Sequence, residues 1–284
     1  MLLKKIYYSI PHVLRNSIQY FVDKLDNRIV DDFINTNYGK EYGITKKDRI
    51  IILNRILKIL KNINSASSIQ ALITLMKEIL SIPVENNGVI VECGSFEGAS
   101  TSVLSIGAKL TNRKLITYDS FEGLPDIENT KPRFYPYLSI YGYYEKGMYS
   151  SSEKTVRNNL MLYGEAESVI IRKGFFDKSM PNHTEEVSFI FMDVDLSSST
   201  KTCIKYLWPK LNDNSFIYTD DACDMEVVKV WFEKDWWNKN LSQDPPGYIG
   251  AGCGLPISSK YSSLGFSFKN LDNTKYNKVR WLKY

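Results

Sequence analysis

The chain has 284 residues, 43% hydrophobic and 24% charged, with a formal net charge of +4. That composition suits one large α/β domain carrying an extension, and the charge is too mild to argue for a nucleic-acid partner. Four scattered cysteines without a C-x-x-C pair, and two histidines, His12 and His183, argue against a structural zinc site and against a histidine-ligated haem. In a chain with a full core the cysteines read as free thiols of a reducing, cytoplasmic compartment. No apolar run reaches the ~18 residues of a transmembrane segment.

In chain order, "MLLKKIYYSIPHVLRNSIQYFVDKL" is basic and apolar without the continuous apolar centre of a signal peptide. It reads as a docking helix or dimer arm, with a membrane-surface helix as the alternative. Residues 47–81 carry Ile50, Leu53, Ile56, Leu57 and Leu60 at helical spacing. Ser65–Ser68 interrupts the pattern, a second helix runs to Leu80, and Pro83 ends it. Residues 1–80 are therefore expected to form an N-terminal helical extension, and 81–284 the main domain.

From Gly88 the pattern changes. The runs "GVIVECG", "KLITYDS", "SVIIRKG", "VSFIFMDVD" and "SFIYTDD" alternate with "ASTSVLSIGAKL", "EKTVRNNLMLYG" and "STKTCIKYLWPKL". Short apolar runs alternating with helical segments predict βαβ units and a mostly parallel sheet flanked by helices. Two late runs, "SLGFSFKN" and "NKVRWLKY", bring the expected strands to seven and are predicted to form an antiparallel hairpin at the sheet's end.

Ligands of open parallel sheets bind at the C-terminal strand ends. There "VIVECGSFEGAS" gives a strand, a tight turn and a helix start, with Gly94 and Gly98 allowing close backbone approach. No Gly-Lys-Ser/Thr follows, so it is not a P-loop, and the glycines are too few for a dinucleotide fingerprint. Glu92 would repel phosphate and suits an ammonium or sulfonium. Asp119, with Ser120 beside it, ends the next strand, where an acidic group hydrogen-bonds ribose hydroxyls. An ordinary tight turn is the competing explanation; taken together, these features favour S-adenosylmethionine (SAM) over NAD.

The ordered stretches "VIVECGSFEGAS", "YDSFEGLPD", "KGFFDKSMP", "FMDVDLSSSTKTCIKYLWPKL" and "YTDDA" resemble the macrocin O-methyltransferase family, over roughly residues 85–235. Members of that family are SAM- and magnesium-dependent and methylate sugar hydroxyls on antibiotics and related glycosides. More distantly the layout is similar to catechol O-methyltransferases. The resemblance implies a Rossmann-like class I methyltransferase fold. It implies that Glu92 faces the methionine amino group, that Gly94 and Ser95 line the same moiety, that Asp119 holds the ribose, and that Gly174, Phe175 and Phe176 lie near the adenine. By position, Asp193, Asp220 and Asp221 match the family's Mg²⁺ ligands. They are hard oxygen donors from two strand ends, which suits that ion. Asp193 is also the candidate to take the acceptor's proton. Asp195 is expected, by strand alternation, to point elsewhere and serve a structural role.

"RFYPYLSIYGYYEKGMYS" carries Tyr135, Tyr137, Tyr141, Tyr143, Tyr144 and Tyr149, and is expected to form a lid over the acceptor. A dimer contact is the competing role; with the N-terminal helices it is a candidate homo-oligomer surface. The family's lid histidine is absent here. "PPGYIGAGCGLP" approaches the acceptor or leads flexibly into the last hairpin. The expected function is thus methyl transfer to a hydroxyl of a small-molecule or glycan acceptor. The alternatives are a catechol-like or other vicinal-diol acceptor, or a SAM-binding protein without catalysis.

Overall fold

The computed structural model describes residues 28–126, 144–257 and 262–270, together with the backbone of two short strands between the first two stretches. The N-terminal arm, most of the tyrosine-rich segment and "NKVRWLKY" lie outside the described residues.

Among the described residues three helices lead into the sheet: α1 (Arg28–Asn35), α2 (Lys46–Asn62) and α3 (Ile69–Leu80). Thr45 starts α2 with a reciprocal cap: its hydroxyl accepts from the Asp48 N–H, and the Asp48 carboxylate accepts from the Thr45 N–H. Ser68 caps α3 by accepting from the Ala71 N–H. The buried stripe of α2 is Ile52, Leu53, Ile56 and Ile59, not the expected set. Ile50 is 39% exposed, because the helix docks on its neighbouring helices through a face turned from the one periodicity alone selects.

The sheet elements follow in order: β1 (Val89–Cys93), α4 (Ala99–Leu110), β2 (Leu115–Asp119), β3 (Arg133–Tyr135), β4 (Leu138–Ile140), α5 (Glu153–Tyr163), β5 (Val169–Lys173), α6 (Phe176–Ser179), β6 (Val187–Met192), α7 (Ser197–Leu207), β7 (Leu211–Thr219), α8 (Met225–Val230), α9 (Lys234–Leu241) and β8 (Gly265–Phe268). Among the described residues the main sheet has six strands in the order β5-β2-β1-β6-β7-β8, and β3 pairs with β4 as a separate antiparallel hairpin. All neighbours in the main sheet run parallel except β7 and β8. The expected seventh strand lies outside the described residues. Among the described residues β8 is also met by a single antiparallel bridge, between Ile249 and Phe266. Ile249 belongs to the glycine-rich run that the sequence marked as a loop. Its two backbone bonds to Phe266, at 2.9 and 3.0 Å, tie that run to the sheet.

Side chains alternate across the sheet, as a twofold strand period requires. Ile90, Leu115, Phe189, Phe191, Tyr218 and Phe266 pack in one core with α1 to α4. Val91, Ile116, Ile190, Met192 and Ile217 pack in the other with α7, Trp208, Trp231 and Trp237. Residues 29–82 therefore form, together with α4, one of the two helical layers that cover the sheet. The sheet order reverses direction between β1 and β6, each followed by a helix on opposite faces. That opens a crevice at their C-terminal ends, the usual ligand position in such folds.

Candidate active site

The crevice is a cavity of about 710 Å³, within the range of small-molecule sites. Its wall begins at the turn after β1. Gly94 has φ 87°, and a Cβ there would lie 2.1 Å from the Asp193 carbonyl oxygen. Only glycine permits β1 and β6 to deliver their turns side by side. Ser95, Phe96 and Ser100 line the cavity next to it.

Asp119 binds this turn to the end of β2. Its Oδ2 accepts from the Ser95 N–H at 2.6 Å, the Ser95 hydroxyl at 2.8 Å and the Phe96 N–H at 3.3 Å. Its Oδ1 accepts from the Phe121 N–H at 2.7 Å. Asp119 and Ser120 both line the cavity. Phe175 and Phe176 line it as well. Gly174 stands behind them, with φ 133° and its N–H donated to the Asp119 carbonyl at 2.9 Å.

Glu92 is placed differently from the sequence expectation: it does not reach the cavity wall. It is fully buried on the α4 side of β1, where its Oε2 accepts from the Thr101 and Thr117 hydroxyls at 2.6 and 2.8 Å. Burial pushes its carboxyl up to about 7, against hydrogen bonds from Thr101, Ser100 and Thr117 that pull it back, and the Asp119 charge adds to the rise. The physical reason for its place is the strand itself, which runs to Cys93, so position 92 still obeys alternation and faces α4. Glu92 is linked to the site through Ser100 and the charge of Asp119, both of which line the cavity.

The acidic groups gather at the ends of β6 and β7. Asp193, Asp195 and Asp221 bring carboxylate oxygens within 4.8 Å of one another. Asp221 is 1% exposed, and its Oδ2 accepts from the backbone N–H of Asp195 at 3.1 Å and of Val194 at 3.4 Å. Asp220 stands on the cavity wall beside this group, with its oxygens on two serines: Ser263 at 2.6 Å and Ser67 at 3.3 Å.

Asp195 is the site residue that sequence reasoning turned the wrong way. Alternation holds only within the strand, and β6 ends at Met192. At Asp195 the backbone is left-handed, φ 60°, which swings the side chain back to its neighbours and onto the cavity. Asp tolerates that conformation better than most residues, so an Asp-x-Asp leaving a strand was the available signal.

Oxygen donors alone, converging from two strand ends, suit a hard divalent cation. On the same test the Gly94 cradle, the Asp119 carboxylate and the two phenylalanines suit a nucleoside-bearing ligand. The described part of the tyrosine-rich segment reaches the site through Met148 and Tyr149. Tyr149 lines the cavity and meets Phe96 edge-on at 5.9 Å, whereas Tyr144 is buried. All four cysteines are free thiols, with Cys253 exposed and the others buried. His183 is not in the cavity; its Nδ1 shares a 2.8 Å hydrogen bond with the Tyr118 hydroxyl. No helix among the described residues is long and apolar enough to cross a membrane.

Strand order, helical layers and the switch-point cavity define a class I methyltransferase fold. The O-methyltransferase NovP has the same architecture, with a TM-score of 0.54 over 71% of this chain and 80% of its own, at 20% identity. The family model of macrocin-O-methyltransferase (TylF) matches residues 65–245, and the chain belongs to that family. Among curated relatives, 8-demethyl-8-(2,3-dimethoxy-alpha-L-rhamnosyl)-tetracenomycin-C 4'-O-methyltransferase of Streptomyces olivaceus is 26% identical over 139 residues, 47% of this chain and 52% of that protein. Mycinamicin III 3''-O-methyltransferase of Micromonospora griseorubida is 26% identical over 114 residues, 39% of this chain and 45% of that one. The chain thus spans about half the length of the curated relatives it matches.

Proposed function

We propose that the protein is a SAM-dependent O-methyltransferase that methylates a hydroxyl of a sugar in a glycoside or glycan, with Mg²⁺ on the carboxylates at the ends of β6 and β7. The observation that carries this is the approach of the Asp193, Asp195 and Asp221 carboxylates to within 4.8 Å of one another, with Asp193, Asp195 and Asp220 on the wall of the cavity that the Gly94 turn and Asp119 also line. Family membership and a relative named for O-methylation of a rhamnosyl-bearing tetracenomycin support the acceptor class.

Bound there, SAM supplies the methyl group and Mg²⁺ supplies positive charge that favours the ionised acceptor hydroxyl. The chain's residues do the rest. Ser95, held by Asp119, and Gly94 give the methionine end a close backbone surface, and Asp119 with Ser120 meets the ribose. Phe175 and Phe176 form the apolar wall on the adenine side. Asp193, Asp220 and Asp221 would hold the cation, with the Asp195 carboxylate within 4.8 Å of those of Asp193 and Asp221. Asp193, with Asp195 turned alongside it, accepts the proton that leaves the acceptor hydroxyl. Fixing acceptor and donor on two adjacent turns of one rigid sheet lowers the entropy cost of reaching an in-line arrangement.

The test is incubation of purified protein with SAM, Mg²⁺ and a panel of neutral glycosides, read by mass spectrometry as a gain of one methyl group. Methylation of flat catechols in preference to every glycoside would overturn the acceptor class. Calorimetric titration with SAM tests the cofactor separately; binding of NAD more tightly than SAM would overturn it.

A further inference from the structure

The segment between α2 and α3 belongs to the helical extension, yet Asn64, Ser65, Ala66 and Ser67 all line the cavity. It is fastened at two places that lie far apart in sequence. The Asn64 side-chain amide donates to Glu97 in the turn after β1, at 3.3 Å. The Ser67 hydroxyl donates to Oδ2 of Asp220 at the end of β7, also at 3.3 Å. Within the segment, the Ser65 hydroxyl donates to the Ser67 carbonyl at 3.0 Å and closes the bend. Ser67 is only 6% exposed. The side chain next to it, Ser68, is committed to capping α3, which fixes the direction in which Ser67 leaves the bend.

Asp220 is itself 6% exposed. A carboxylate that buried needs donors, and serines from two remote segments supply them. Ser263 takes Oδ1 at 2.6 Å, from the approach to β8; Ser67 takes Oδ2, from the layer of helices on one face of the sheet. With both hydroxyls in place the plane of the carboxylate is set from two sides. Losing either removes one of these two holds on χ2, a broad, soft torsion in aspartate.

We infer that Ser67 is a positioning residue of the carboxylate site: through Asp220 it makes the α2–α3 bend part of the cation-binding wall. This rests on the assignment of a divalent cation to Asp193, Asp220 and Asp221. It adds that the helical extension sets the geometry of that site, beyond covering the sheet.

Mn²⁺ serves as the probe, with free ion followed by electron paramagnetic resonance on the full chain without acceptor. Ser67→Ala is expected to raise the Mn²⁺ dissociation constant about fivefold, the size of one ordinary hydrogen bond. SAM affinity by calorimetry should stay within about twofold of wild type, and Ser67→Thr, which keeps the hydroxyl, should restore Mn²⁺ binding. Unchanged Mn²⁺ affinity in Ser67→Ala overturns the inference. So does a Thr variant as weak as Ala, which would assign the loss to packing, and so does joint loss of SAM binding and thermal stability. A wild-type protein that binds no Mn²⁺ at all overturns the cation assignment and this inference with it, an outcome distinct from wild-type binding that Ser67→Ala leaves intact.

Discussion

Replacing Glu92 by glutamine tests the electrostatics of the first turn. The carboxyl is fully buried, and its ordinary value of 4.5 rises to about 7, chiefly through loss of hydration. Below pH 4.5 the folded and unfolded chains both carry the proton, and the group costs nothing. Between 4.5 and 7 the unfolded chain releases the proton first, so stability falls as pH rises. Above 7 the loss is complete. At about 1.4 kcal/mol per pH unit the penalty is roughly 3 kcal/mol. Glutamine has nearly the same shape and can accept from Thr101 and Thr117, but it does not titrate. Relative to wild type, Glu92→Gln should therefore gain roughly 3 kcal/mol in unfolding free energy between pH 4.5 and pH 8. Urea unfolding of both proteins across that range measures the difference directly. Whatever glutamine costs through its amide group is the same at every pH and cancels from the slope. A stability difference that does not change with pH would refute the argument, and with it the claim that the carboxylate is desolvated. A charge kept at such a cost has a use elsewhere. The same variant is accordingly expected to bind SAM more weakly, because the negative charge beneath the Gly94–Ser100 turn favours a cationic ligand.

Asp119→Ala should weaken SAM binding by about 1.5–3 kcal/mol, the range of a hydrogen bond to a charged group; unchanged affinity in calorimetry would remove the ribose assignment. Gly94→Ala should destabilise the fold by at least about 2 kcal/mol, since a left-handed alanine is strained and its Cβ would meet the Asp193 carbonyl at 2.1 Å. A melting temperature equal to wild type would show that the two turns separate easily. Chelation should abolish turnover, excess Mg²⁺ should partly rescue Asp220→Asn, and Asp193→Asn should fall further, since it loses a cation bond and a proton acceptor. Full methyl transfer by Asp193→Asn in the presence of chelator would reduce these carboxylates to helix caps.

Much of the fold was legible because buried parallel strands write themselves as unbroken apolar runs. "VSFIFM" became β6 with every residue buried, the runs ending in Cys93 and Thr219 became its two partners, and the run ending in Asp119 became the strand beyond the first of them. Turn chemistry was legible too: Gly94 is where two backbones nearly touch, and Asp119 is where the second strand meets the first turn. The bridge to β8 was not legible. Ile249 joins β8 by one bridge inside a glycine-rich run, and a single bridged residue leaves no periodic trace. The docking face of α2 was also hidden. With apolar groups at Ile50, Ile51, Ile52 and Leu53 in succession, several faces satisfy helical spacing, and only the neighbouring helices choose among them.

At the site itself the sequence named chemistry better than direction. Glu92 and Asp195 show why, from opposite sides. Glu92 stands one residue before its strand ends, so the pleat still governs it and turns it into the core under α4. Asp195 stands beyond its strand, where one left-handed residue cancels the pleat and returns the carboxylate to the crevice. Both positions read in sequence as acidic groups near a strand end, and a single φ angle separates a buried support from a group on the cavity wall. Ser67 lies further from inference still, because its relation to Asp220 spans 153 residues and exists only once the helical layer has docked on the sheet. The carboxylates are thus supplied by strand ends, which sequence reveals, while their aim is set by turns and by a remote bend. Substitutions at Gly94, Asp195 and Ser67 should therefore perturb ligand geometry more than ligand chemistry, raising the concentrations needed for half-saturation before they abolish the reaction.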